Sequence, residues 1–167
     1  HMSRPDYPLT LDVRDRRVLV VGGGRVAGRR ATRLVDAGAR VELVAPQVTS
    51  EILELAATGA LVWHAREFEP GDLLEPSRAW LVHTATGAAG VDAAVAQTAA
   101  AEAIWCVRAD DATASDAWTP AVGDGAGAAE GIQVAVTAGR DPRRAAALRD
   151  AILHGLDTGE LPSRRRR

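Results

Sequence analysis

The chain has 167 residues, enough for one α/β domain with a sizeable core and a small appendage. Its net charge of -2 excludes a general nucleic-acid binder, and the last four arginines contribute +4, so the remainder carries about -6. All 20 basic residues are arginine, a single cysteine (Cys106) rules out an internal disulfide, and no apolar run approaches the roughly 20 residues that span a bilayer. These features, with no visible signal peptide, point to the cytoplasm; the leading His1-Met2 reads as an expression remnant.

In chain order, the first predicted element is the strand in "RRVLVVGG", a continuous apolar run bounded by glycine, as expected of a buried parallel strand. A helix follows from Arg25 to Ala37, with Val26, Ala27, Ala31, Leu34 and Val35 at helical spacing and Gly38 as its stop. Between strand and helix, Gly22, Gly24 and Ala27 satisfy G-x-G-x-x-G/A. Gly22 permits the tight turn, Gly24 lets a pyrophosphate approach the backbone, and Ala27 keeps helix and strand close. In this strand–turn–helix–strand context the motif predicts dinucleotide binding, whereas in isolation it carries little weight.

"RVELVA" is the second strand, and Pro46 forbids its continuation. The acid that normally grips the adenosine ribose is missing from its end, where Val44 and Ala45 stand. Glu42 lies too early and is expected at a sheet edge or in solvent. The ribose contact then falls to the backbone around Pro46 and Gln47, and spacing alone does not separate NAD from NADP. "SEILELAATG" is a helix capped by Thr49 or Ser50. "ALVWHA", "AWLVHTAT" and "IWCVRA" are further strands, with a helix in "GVDAAVAQTAAAEA" before the last. Strands and helices alternating at this pitch imply a Rossmann-like, doubly wound parallel sheet.

The rhythm breaks at the polar loop "DDATASDAW". Beyond it come two strands joined by a glycine-rich turn, then a helix with Asp141 as cap and Pro142 at its first position, a β-hairpin and helix appended to the sheet. The three His residues outside the leader, His64, His83 and His154, show no metal-ligand spacing, so no metal site is expected; His83 is read as a packed strand residue, with a place facing the cofactor cleft as the alternative. Arg29 and Arg30 are read as surface residues. A short-chain oxidoreductase is excluded, because its Tyr-x-x-x-Lys pair requires a lysine.

From "YPLTLDVRDRRVLVVGGGRVAGRRATRLVDAGARVELVAP" onward, between Tyr7 and Leu156, the chain resembles the precorrin-2 dehydrogenase family, the dehydrogenase/ferrochelatase modules of siroheme synthase. The resemblance implies a nucleotide fold that lacks the ribose acid. NAD would be held by Gly22, Gly23, Gly24, Arg25 and Val26, with Pro46 and Gln47, and by Thr86 at the start of the family's "ATD…VN" segment, where Gly87 replaces the acid. The family's "NVVD" falls on Val107, Arg108, Ala109 and Asp110, which gives Asp110 the catalytic role; Asp111 is an adjacent rival. Without the resemblance, the pair reads first as a turn or cap.

The implied substrate, precorrin-2, bears many carboxylates. Arg108, Arg140, Arg143, Arg144 and Arg149 gather in sequence near the expected site, and of these Arg108, Arg140 and Arg149 are the substrate-binding candidates. The resemblance further implies production of sirohydrochlorin, a homodimer, and a uroporphyrinogen methyltransferase as fused or separate partner. Alternatives are an added sirohydrochlorin ferrochelatase activity, or a binding module without catalysis. The expected organisation is an NAD-binding domain at 7–112, a dimerisation and substrate region at 113–158, and a basic tail or linker stub at 159–167.

Overall fold

The computed structural model describes residues 5–163, so His1 and the four terminal arginines lie outside the described residues. The chain divides between Ala117 and Trp118 into two compact units.

The first unit is a five-stranded parallel sheet in the order β3-β2-β1-β4-β5. Its strands are β1 (Arg17–Val21), β2 (Arg40–Val44), β3 (Leu61–His64), β4 (Leu81–Thr84) and β5 (Trp105–Arg108). The helices are α1 (Arg25–Asp36), α2 (Ser50–Ala57) and α3 (Ala89–Ala101). Because side chains alternate across a strand, β1 feeds two cores. Val18 and Val20 join Val41, Leu43, Leu61, Leu81 and Val107 on one face, beneath Ala27, Ala31 and Leu34 of α1 and Ile52 of α2. Leu19 and Val21 join Val44, Val82 and Cys106 on the other, beneath Val95 and Ala99 of α3, Leu73 and Ala79. Each Val or Leu so buried contributes about 1.5–3 kcal/mol of transfer free energy, which is why a strand covered on both faces reads as an unbroken apolar run.

Local signals set the helix ends. In α1 the buried positions Ala27, Gly28, Ala31 and Leu34 form the inward stripe, and Gly38, at φ +84°, turns the chain into β2. Thr49 is the cap of α2, its hydroxyl accepting the Ile52 N–H at 3.5 Å.

Arg17, at the start of β1, is buried and holds the β3–β4 connection. Its guanidinium donates to both carboxylate oxygens of Glu42 (2.9 and 3.2 Å) and to the carbonyls of Ser77, Asp72 and Glu75 at 2.7–2.8 Å. That corrects the expectation for Glu42. It faces neither a free edge nor open water, because β2 sits inside the sheet and a buried cation next door needs a counter-charge. Arg30 likewise departs from the surface reading: it is half-buried, and burial lowers its pKa.

The second unit pairs β6 (Ala121–Asp124) antiparallel to β7 (Gln133–Val136) around a 3-10 turn at Gly127–Ala129. Helix α4 (Pro142–Thr158) lies against the hairpin so closely that a Cβ on Gly123 would collide with Leu153. Asp141 caps this helix by accepting the Arg144 N–H at 3.0 Å, and Gly159 ends it in the left-handed region.

Candidate nucleotide site and carboxylate loop

In a parallel sheet the loops beyond the carboxyl ends of the strands build the ligand site, and the order 3-2-1-4-5 puts the switch point between β1 and β4. Beyond β1 lies the glycine turn. Gly22 sits at φ +124°, its N–H bonded to Val44 O at 3.0 Å. A Cβ there would run into the Ala85 carbonyl, and one on Gly23 into the Gln47 carbonyl. The loops after β4 and β2 therefore close directly onto the first two glycines. Gly24 differs: nothing lies within 4 Å of where its Cβ would be.

Gly24 is also the N-cap of α1, with no side-chain cap and no acidic residue in the first turn. Its first-turn N–H groups, those of Arg25 and Val26 among them, present partial positive charge to open space. This is the geometry of an anion cradle, and it fits the pyrophosphate of a dinucleotide.

The β2 loop supplies no acid. Ala45 is buried, its carbonyl taking the Trp63 indole N–H at 2.9 Å, while Pro46 and Gln47 are exposed beside the glycine turn. Thr49 N–H donates to Gly23 O at 3.0 Å and pins the two loops together.

At the end of β4, sequence reasoning missed Asp92. This fully buried residue of α3 accepts from Thr84 Oγ1 (2.6 Å), Thr86 Oγ1 (2.8 Å) and Thr86 N (3.1 Å), all on Oδ1. Its Oδ2 is buried with no hydrogen-bond partner among the described residues. Asp92 thus fixes the loop whose carbonyl backs Gly22, and the Thr86 hydroxyl is engaged by it. An acid four positions into an alanine-rich helix was the available signal.

Beyond β5 the polar loop folds back along the strand's outer edge. Asp116 exchanges bonds with the Cys106 backbone, and the Arg108 N–H donates to Ser115 Oγ at 2.9 Å. Asp111 is consumed inside this loop, Oδ1 accepting from Thr113 N, Thr113 Oγ1 and Ala114 N. Asp110 instead points to the half-exposed side and is gripped by both arms of Arg108, Nε at 3.0 Å and NH2 at 2.8 Å. That guanidinium holds the Asp110 carboxyl below the usual carboxylate range, and the Thr113 hydroxyl does the same for Asp111.

His83 is buried in β4, where burial, assisted by the Arg30 charge, pushes it down to about 4. His64 Nε2 lies 3.1 Å from Glu42 Oε2. Among the described residues no group of three or more His, Cys, Asp and Glu side chains converges to hold a metal ion. Arg108 ends β5, and the glycine-turn residues, Pro46, Gln47, Thr86 and Asp110 lie beyond the carboxyl ends of their strands. Arg140 and Arg149 belong to the second unit. There Arg140 adopts φ +65° with its guanidinium 4.6 Å over the Trp118 ring, and Arg149 bonds Asp150 and the Val122 carbonyl.

Comparison with known proteins matches residues 9–121 to the family of NAD(P)-binding domains designated NAD_binding_7. Siroheme synthase 3 of Aeromonas hydrophila is 41% identical over 120 residues, which cover 71% of this chain and 25% of that protein. The siroheme synthase of Xylella fastidiosa is 38% identical over 116 residues, covering 70% and 24%. The chain therefore spans about a quarter of the length of these curated relatives. Among solved structures it is similar to SirC, precorrin-2 dehydrogenase, with a TM-score of 0.75, 26% identity, and coverage of 93% of this chain and 73% of that one.

Proposed function

This chain belongs to the NAD_binding_7 family of NAD(P)-binding domains, and from that premise we propose that it is an NAD-dependent precorrin-2 dehydrogenase forming sirohydrochlorin for siroheme biosynthesis. The observation that carries the reading is one carboxylate, Asp110, left half-exposed beyond β5 at the same sheet edge as an open, uncapped glycine turn. Similarity to SirC and to the siroheme synthases supports the choice of substrate.

The dehydrogenation removes two hydrogens from the macrocycle, one as hydride and one as proton. NAD, when bound, supplies the hydride acceptor. The chain's own residues do the rest. The first turn of α1 and the glycine backbone hold the dinucleotide phosphates, Pro46 and Gln47 meet the adenosine ribose, and the loop of Thr86 walls the cofactor side. Asp110 takes the proton, for which it must come within hydrogen-bond reach of the reacting carbon's hydrogen. Arg108, Arg140 and Arg149 receive substrate carboxylates, since a planar guanidinium fork matches a carboxylate in two parallel bonds.

The reading places residues 7–112 as the cofactor domain and 113–158 as the dimerisation and substrate region. It also includes a cytoplasmic homodimer, and a uroporphyrinogen methyltransferase as fused or separate partner. Among the described residues no helix is long and apolar enough to cross a membrane.

The test is anaerobic incubation with precorrin-2 and NAD, following sirohydrochlorin and NADH together by absorbance. Both are expected to appear in equal amounts. No NADH above the protein-free control, with folded protein and saturating NAD, would replace the enzyme by a binding module.

A further inference from the structure

We propose that Arg108 and Asp110 form an exchangeable pair: Arg108 holds Asp110 in the free protein, and a carboxylate of the incoming substrate displaces Asp110 from that guanidinium and releases it as the base. The inference rests on the dehydrogenase reading above and assigns Arg108 a second task, as the positioning residue for Asp110.

The geometry carries it. Asp110 occupies Nε and NH2, the edge of the guanidinium that offers two parallel donors to a carboxylate. An external carboxylate seeking the same bidentate contact must compete for that edge. The Arg108 side chain is 11% exposed and that of Asp110 29%, so the pair opens to solvent on its carboxylate side, from which another anion arrives. A partly exposed pair is weakly held, and exchanging one carboxylate for another keeps the cation compensated throughout.

The surroundings favour release over dissociation of the loop. Asp111 is tied to Thr113 and Ala114, and Ser115 and Asp116 bind the β5 backbone, so the loop stays fixed while the Asp110 side chain turns. The other charged groups acting on the pair are Asp111, from the same loop, and Asp92, from α3. Cys106, within β5, is pushed up to about 12 by burial and remains a neutral thiol through the working range. The exchange also resolves a chemical conflict. A carboxylate locked to arginine is a weak base, and a proton acceptor works best with its basicity raised toward the working pH. Displacement delivers that rise only once substrate has arrived.

The experiment follows the Asp110 carboxyl carbon by NMR in protein labelled at aspartate, titrated with acid alone and with saturating sirohydrochlorin. In the wild type the Asp110 midpoint is expected below the usual carboxylate range and to move up when sirohydrochlorin binds. In Arg108→Val it is expected in the usual range already, unmoved by sirohydrochlorin, which binds at least tenfold more weakly. Arg108→Lys, which keeps the charge but not the fork, is expected to fall between the two and serves if the valine variant does not fold. In turnover the acid limb of kcat is expected above that of kcat/KM in the wild type, and the two coincide in Arg108→Val.

An Asp110 midpoint indifferent to bound sirohydrochlorin, or variants that titrate and bind like the wild type, would overturn the exchange. So would failure of sirohydrochlorin to bind at all. Bound sirohydrochlorin that shifts Asp110 without any NADH formation from precorrin-2 would instead overturn the dehydrogenase reading and leave the exchange standing.

Discussion

Two neighbouring aspartates, chemically identical, are separated by what surrounds them. Asp111 closes a turn with three donors on one oxygen, while Asp110 is held by the movable Arg108 guanidinium and has solvent on its other side. Asp110→Asn is therefore expected to lower kcat by about 10²–10⁴-fold, the usual range for a lost general base, with NAD affinity unchanged. Asp111→Asn is expected to leave kcat within a few-fold and stability nearly unchanged, because asparagine caps a turn about as well as aspartate does. Steady-state kinetics with precorrin-2, paired with NAD titration by fluorescence, separates these outcomes; equal losses in the two variants would reverse the assignment. At the opposite end of the sheet, Arg17 shows the buried case. Arg17→Met takes the guanidinium from the Glu42 carboxylate, leaving it the His64 contact, and strands three carbonyls; breaking a buried pair from one side costs about 3–5 kcal/mol. Urea unfolding at neutral pH measures it, and a loss below about 1 kcal/mol would mean that water replaces the guanidinium.

Elements differ in how plainly they are written. β1 is a continuous apolar run and β2 an apolar run interrupted by Glu42, both bracketed by glycine or proline, and both cores can be assigned from alternation along Val18 to Val21. α3 is legible by length alone, since alanine covers its faces almost evenly, and so its one important side chain, Asp92, passed unread. The connection from Arg66 to Ala79 was not legible either: its carbonyls are held by Arg17, about 60 positions earlier in the chain, and no local pattern encodes so distant a partner. Within the site, the glycine turn was visible as a motif, whereas the pairing of Arg108 with Asp110 required the backbone of the loop. The start of α1 offers a test at this scale. Gly24 has open space around it and extended backbone, φ -86° and ψ -169°, which aspartate adopts readily as an N-cap. Gly24→Asp is expected to keep or slightly raise the melting temperature while weakening NAD binding more than tenfold, because a fixed carboxylate then occupies the helix end proposed for the phosphates. Loss of stability together with loss of binding would mean that the turn, and not the anion site, had been damaged.

For the molecule as a whole, stability just below neutral pH turns on a buried histidine. His83 is buried between the helices and the sheet, and its pKa falls from 6.5 to about 4 on folding. A lowered histidine pKa means that the unfolded chain binds a proton the folded one refuses, so stability rises with pH across the interval between the two values. Read downward, the native state is fully favoured above about 6.5 and loses up to about 1.4 kcal/mol for each pH unit of descent toward 4. The carboxylates that folding stabilises, Glu42, Asp72, Asp110 and Asp111, have lowered pKa values and give up their contribution only as pH falls through the acidic end of that range and below. The interval from 6.5 to about 5 thus isolates His83. His83→Leu, which fills the same interior with an apolar side chain, is expected to flatten the stability curve there while leaving the acid drop below it. Chemical denaturation at half-unit steps from pH 7.5 to 4.5 measures both curves. A wild-type curve already flat from 7 to 5 would show that His83 takes up its proton in the fold as readily as in the unfolded chain.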